Sequence, residues 1–193
     1  MFTGIIRAVV PILSVGPSEQ NIVARIKTPA SWKLELGQSI AIDGVCSTVT
    51  SIDTESFEVV WMPETIAKTI VGAYQPGSHV NLERSLTLSD FVDGHLVQGH
   101  VDSRAKVLKV EKDDAGTRIT VEAPEELARF VAEKGSICIN GVSLTVAAKS
   151  GPLATVALIP YTLEHTNLGR LMEGDMVNLE VDIVARYLIA RNQ

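Results

Sequence analysis

Shifted by 97 positions, this chain falls on itself. Residues 39–83 align with residues 136–180 without a gap, and 17 of those 45 positions are identical. A repeat of this length marks one small unit used twice, not one large core. The 193 residues divide naturally into two units of about 90 residues each, a size that folds alone. The matched pieces include polar residues as well as core formers: Val80-Asn81-Leu82-Glu83 repeats as Val177-Asn178-Leu179-Glu180, and Pro63-Glu64-Thr65 as Pro160-Tyr161-Thr162. Before residue 39 the register slips, and Gly4 best matches Gly99. Duplication alone explains matching valines and glycines; it explains matching polar residues less well.

Local signals make each unit β. Asp43-Gly44 and Asn140-Gly141 are two-residue hairpin turns of the kind that needs φ > 0 at both positions. Alternating apolar runs flank them, and further strand-like runs lie at 22–26, 57–61, 119–122, 155–159 and 176–181. Many short strands with turn signals predict a small barrel or sandwich per half. Short helices are expected after Pro63 and Pro160. A longer one is expected to start at Pro124, follow the acidic Glu125 and Glu126 and close at Gly135. Residues 182–193 read as a helix with an apolar stripe of Ile183, Val184, Tyr187 and Leu188. That helix either packs on its own barrel or associates chains. The expected units are therefore 1–92, 93–181 and the helix 182–193.

Composition narrows the partners. A net charge of −6 gives no overall field favouring nucleic acid or an anionic membrane. No apolar run approaches the roughly 20 residues of a membrane span. The opening segment lacks the features of a secretory signal, so a cytoplasmic location is expected. Cys46 and Cys138 read most simply as free thiols in a reducing compartment, with a single disulfide as the alternative. Cys138 aligns with Ala41 and fits a buried small residue. His79, His95, His100 and His165 form no metal-ligand spacing, and there is no glycine-rich nucleotide motif, so no metal and no cofactor are expected.

After each hairpin turn the side chains alternate between faces. Val45, Ser47 and Val49 share one face, opposite Cys46, Thr48 and Thr50; Val142, Leu144 and Val146 share one, opposite Ser143 and Thr145. Each half thus directs a short thiol or hydroxyl pair away from its apolar face. Taken by itself, that pattern reads more simply as a solvated outer strand face. The halves differ where Cys46 becomes Ser143 and where Ile5 becomes His100, differences that would let two similar sites treat two similar ligands differently.

Taken together, several motifs in order resemble the riboflavin synthase family, the lumazine-dismutating enzymes. They are Met1-Phe2-Thr3-Gly4-Ile5, Asp43-Gly44-Val45-Cys46-Ser47-Thr48-Val49, Met62-Pro63-Glu64-Thr65, Gly94-His95-Leu96-Val97-Gln98-Gly99-His100-Val101-Asp102, Asn140-Gly141-Val142-Ser143-Leu144-Thr145-Val146 and Ile159-Pro160-Tyr161-Thr162-Leu163-Glu164-His165-Thr166. The resemblance implies two tandem six-stranded Greek-key β-barrels, a C-terminal helix that helps build a homotrimer, and no cofactor. It implies that two molecules of 6,7-dimethyl-8-ribityllumazine exchange a four-carbon unit, giving riboflavin and a ribitylaminopyrimidinedione. A lumazine-synthase shell is a candidate partner.

The resemblance also implies site residues. One pocket is expected from Gly4, Ile5 and Ile6 with Cys46, Ser47, Thr48, Val60, Trp61, Met62, Pro63, Glu64 and Thr65. A second is expected from Gly99, His100 and Val101 with Ser143, Leu144, Thr145, Ala157, Leu158, Ile159, Pro160, Tyr161 and Thr162. Lys134 matches a lysine that reaches the ligand of an adjacent chain; read alone, it suits a helix C-terminus. His100, Ser143, Cys46 and Thr145 are the expected catalytic groups. The reaction is expected between the first barrel of one chain and the second of a neighbour, so that His100→Ala and Cys46→Ala would rescue each other in mixed trimers. One departure is Ser47, where the family has an apolar residue and the alternation turns the side chain inward. The competing expectations are a non-catalytic lumazine- or flavin-binding relative, such as the antenna proteins of luminous bacteria, and a duplicated barrel with no small ligand. The presence of all four reactive positions favours the enzyme.

Overall fold

The computed structural model describes residues 1–113 and 116–191. Among the described residues, twelve strands form two closed antiparallel barrels of six. In the first, β1 (Ala8–Ser18), β2 (Asn21–Lys27), β3 (Ser39–Ile42), β4 (Val45–Ile52), β5 (Ser56–Trp61) and β6 (His79–Arg84) close in the order β1-β2-β5-β4-β3-β6. In the second, β7 (Ser103–Asp113), β8 (Gly116–Glu122), β9 (Ser136–Ile139), β10 (Val142–Ser150), β11 (Leu153–Leu158) and β12 (Met176–Val181) repeat that order. Both predicted turns have φ > 0 at each position: 45° and 78° at Asp43-Gly44, 46° and 78° at Asn140-Gly141. Bulges interrupt the ladders at matching places, between Ile12 and Ser14 and between Val49 and Ser51, and again between Val107 and Lys109 and between Val146 and Ala148. Such bulges bend strands, and bending is what closure of a small barrel requires.

Each barrel is filled by the inward half of its alternating side chains. Ile12, Ile26, Ile40, Phe57, Trp61 and Leu82 are among those that fill the first; Val107, Ile119, Ile137, Val156 and Leu179 are among those that fill the second. A fully buried side chain of this size contributes about 1.5–3 kcal/mol. Ser47 lies inside the first barrel, where its Oγ accepts from Trp61 Nε1 at 2.8 Å and donates to the Val45 carbonyl at 3.1 Å. The departure from an apolar residue is thereby matched to the indole of Trp61, which would otherwise be buried without a partner.

The short helices α1 (Pro63–Lys68) and α2 (Pro160–His165) each carry proline in the first turn, as expected. The expected helix 124–135 is reduced to a 3₁₀ stretch, Glu125–Phe130, with Pro124 just outside it. Val131 then turns extended and enters the core, which stops the helix well short of Gly135. The last helix, α3 (Ile183–Ala190), is capped by Asp182, whose side chain accepts from the Val184 amide. Arg186 of α3 pairs with Asp102, tying the helix to the second barrel, while Val184, Tyr187 and Leu188 face outward. Asn192 and Gln193, part of the expected helix, lie outside the described residues.

The two barrels meet across a pseudo-twofold seam built by the repeated asparagines. Asn81 donates to the Asn140 carbonyl and Asn178 to the Asp43 carbonyl, each at 2.8 Å. Asp43 Oδ1 and Asn140 Oδ1 accept the amides of Asn81 and Asn178. Burial pushes the Asp43 carboxyl up to about 7, despite hydrogen bonds from Asn81, Tyr74 and Asn167.

Candidate functional site

The segments before the two barrels, residues 1–7 and 94–102, form short straps that cross between the halves. Phe2 and Val97 pair with each other, with Phe2 N to Val97 O at 2.7 Å and the return bond at 3.0 Å. From there each strap runs onto the other half's barrel. Ser143 of β10 donates its amide to Gly4 O at 2.8 Å, and Cys46 of β4 donates to Gly99 O at 2.9 Å. Glycine is required at both crossings. A Cβ on Gly4 would stand 2.6 Å from Ser143 Cβ, and one on Gly99 would stand 2.7 Å from Cys46 Cβ.

The outer face of the first barrel therefore carries a cavity of about 340 Å³ closed by the second half's strap. Cys46, Met62, Glu64, Thr65 and Lys68 line one side; Gly99, His100 and Val101 line the other. Cys46 is half-buried and His100 is exposed at the rim. Thr48, Val60 and Pro63 extend the same exposed outer face.

The second barrel has the equivalent arrangement around Ser143, with Gly4, Ile5 and Ile6 as the strap; Ile6 packs against the second core. Thr145, Ala157, Ile159, Pro160 and Tyr161 are exposed on this face, with Thr162 half-buried. Tyr161 stacks on His165 with centroids 4.0 Å apart and planes at 15°. One group here has no counterpart in the first site: His95 Nδ1 lies 2.7 Å from Ser143 Oγ. Burial, opposed by the charge of Asp182, pushes the imidazole down from its ordinary value, which favours the neutral ring. His95 Nε2 is buried and has no hydrogen-bond partner among the described residues. With Nδ1 protonated, that orphan is a bare lone pair, and Ser143 keeps its own proton to offer outward.

These contacts correct the expected grouping of the pockets. Gly4, Ile5 and Ile6 belong with Ser143, and Gly99, His100 and Val101 with Cys46. The repeat alignment identified equivalent residues; it carried no information on which strap crosses to which barrel. Ser47, Trp61, Leu144 and Leu158 also stand corrected as pocket side chains: all four point into barrel interiors, at 4, 2, 9 and 2% exposure. Lys134 is not at a helix C-terminus. It is exposed with φ 66°, a left-handed conformation taken at the equivalent place in the first half by Gly37.

Sequence reasoning missed the groups that hold the straps. Glu83 accepts from the Thr3 amide at 2.7 Å, the Thr3 hydroxyl at 2.6 Å and the Gly4 amide at 2.9 Å. Glu180 accepts from the amides of Gln98 at 2.7 Å and Gly99 at 3.0 Å. Burial raises both carboxyls, Glu180 to about 7. The matching Asn-Leu-Glu triplets were the available signal. Among the described residues no group of His, Cys, Asp or Glu is arranged to hold a metal ion, and no helix is long and apolar enough to cross a membrane.

Both barrels match the family model described as "Lumazine binding domain", over residues 3–85 and 98–182, so the fold and site define a tandem lumazine-binding-domain protein. A riboflavin synthase of Brucella abortus (strain 2308) is 42% identical, the match covering 97% of this chain and 96% of the relative. One of Bacillus subtilis (strain 168) is 34% identical over 97% of this chain and 88% of the relative. The chain belongs to the riboflavin synthase family. Among solved structures, LumP complexed with 6,7-dimethyl-8-(1'-D-ribityl) lumazine superposes with a TM-score of 0.85 at 22% identity, covering 94% of this chain and 99% of LumP. LumP complexed with riboflavin gives 0.87 at 23%, with the same coverage. That likeness is one of fold.

Proposed function

We propose that this chain is a riboflavin synthase, a transferase that dismutates two 6,7-dimethyl-8-ribityllumazine molecules into riboflavin and 5-amino-6-ribitylaminopyrimidinedione. The observation that carries the reading is the pair of related but chemically unequal sites, Cys46 with His100 and Ser143 with His95, in a chain of this family. Two identical substrates must end as donor and acceptor of a four-carbon unit, and unequal sites assign those roles. Holding both rings in register removes a large part of the entropic cost of their encounter.

The reaction is redox-neutral and needs no added co-reactant. The substrate's 7-methyl group is acidic because its anion delocalises over the ring, so modest proton transfer suffices. His100, at the rim of the first site, is placed to take and return a proton at the ring edge. In the second site Ser143 donates toward the ring edge while neutral His95 orients its hydroxyl, and Thr145 stands two residues along the same strand face. Cys46 contacts the other ring at the equivalent place.

Chains associate as a homotrimer in this reading, the first site of one chain facing the second of its neighbour. Its supports are the family and the exposed apolar residues Val184, Tyr187 and Leu188 of α3. Lys134 reaches the neighbour's ligand; its exposed left-handed backbone stores strain of the kind found at functional positions. A cytoplasmic location and association with a lumazine-synthase shell belong to the same proposal. Incubating the purified protein with the lumazine alone, with chelator present, tests the activity. Riboflavin formed at half the substrate consumed is expected; binding of the lumazine without turnover would overturn the enzyme reading in favour of a non-catalytic relative.

A further inference from the structure

The two carboxylates that clamp the straps sit on the wrong barrels for the sites they serve. Glu83 is on β6 of the first barrel, yet the amides it holds belong to the strap that finishes the second barrel's site. Glu180 is on β12 of the second barrel, and holds the strap that finishes the first barrel's site. We infer that Glu83 and Glu180 are crosswise positioning residues: each sets ligand affinity at the site on the opposite barrel, through Gly4 and Gly99 respectively. The inference rests on the proposed lumazine sites.

Each carboxylate directs its two oxygens at adjacent backbone amides at 2.7–3.0 Å. These amides are oriented so that the same residue's carbonyl, Gly4 O or Gly99 O, meets Ser143 N or Cys46 N. A carboxylate accepts both amides; a glutamine at the same place accepts one and turns an N–H toward the other. Glu83 and Glu180 are 4 and 3% exposed, so water cannot substitute freely. The strap would lift, and with it Ile5 and Ile6 from the second site, or His100 and Val101 from the first. Within each site the glutamate's hydrogen bonds reach only strap residues, Gly4 for Glu83 and Gly99 for Glu180, so its effect reaches a ligand through the strap.

The test is riboflavin titration of the full chain, followed by backbone amide resonances that report each site separately: Cys46 and Thr48 for the first barrel, Ser143 and Thr145 for the second. Glu83→Gln is expected to weaken binding at the second barrel about tenfold, which is about 1.4 kcal/mol, with the first barrel within about twofold. Glu180→Gln is expected to give the reverse pattern. Thr3→Val removes the hydroxyl that donates to Glu83 and accepts from the Ile5 amide but leaves the carboxylate on both strap amides; it is the milder variant and is expected to weaken the second site alone. A role in barrel stability would instead weaken the site on the glutamate's own barrel; that pattern, or equal loss at both sites, overturns the inference while leaving the ligand assignment standing. Riboflavin shifting neither set in the unsubstituted chain overturns the ligand assignment and the inference with it.

Discussion

Cys46 and Gly99, from different halves of the chain, are joined by a 2.9 Å backbone hydrogen bond at the mouth of the first barrel's cavity. Adding one methyl group at Gly99 breaks that relationship. The alanine Cβ would stand 2.7 Å from Cys46 Cβ, and its φ of +77° costs a side-chain-bearing residue about 1–2 kcal/mol. Gly99→Ala is expected to leave the barrels folded by circular dichroism and to lower kcat/KM at least about tenfold, the loss reading mainly in ligand affinity at the first site.

Ser47 is a structural residue. Ser47→Ala removes the acceptor of the buried Trp61 Nε1–H, and an orphaned buried donor costs about 1–3 kcal/mol. Denaturant unfolding is expected to show a loss of that size, with turnover at saturating lumazine unchanged.

The seam carboxyl predicts a pH dependence. Asp43 moves from its ordinary 3.8 to about 7 on folding, so the folded chain holds a proton that the unfolded chain releases. The contribution of this group is fully present below about pH 4 and is lost as pH rises through about 7, at a slope of roughly 1.4 kcal/mol for each pH step of one. Asp43→Asn places at the first turn the residue that the second turn already has in Asn140. It is expected to flatten the fall in stability between about pH 4 and about pH 7 in unfolding curves, and to be more stable than the unsubstituted chain above about pH 7.

The outward stripe of α3 predicts an assembly dependence. Tyr187→Asp with Leu188→Asp leaves the Asp182 cap and the Arg186–Asp102 pair intact. Sedimentation is expected to show the proposed trimer dissociating toward monomer with both barrels folded; an assembly unchanged from that of the unsubstituted chain would remove α3 from the interface.

Much of the fold was readable because it rests on local rules. Asp43-Gly44 and Asn140-Gly141 demanded tight turns, and the alternation after them sent Val45, Ser47 and Val49 inward. The outer placement of Cys46, Ser143 and Thr145 followed from the same alternation. The crossing of the straps was not readable, because it depends on the contact of Gly4 with Ser143 across 139 positions and of Gly99 with Cys46 across 53. A repeat pairs equivalent residues and says nothing of which equivalents touch. Nothing in the spacing of His95 points to its role, because its partner, Ser143, lies 48 residues away on another element. The helix expected from Pro124 failed because Val131 is needed in the core.

The crossed straps put Cys46 and His100 in one site and Ser143 in the other, so the pair of lesions expected to rescue each other changes. The decisive measurement is the activity of mixed trimers, unfolded together, reassembled and verified by native mass spectrometry. Cys46→Ala mixed with Ser143→Ala is expected to regain activity, because an intact first site from one chain can face an intact second site from the other. Cys46→Ala mixed with His100→Ala is expected to regain none, since both lesions lie in the first site of every chain. Rescue in the second mixture, or its absence in the first, would contradict the account.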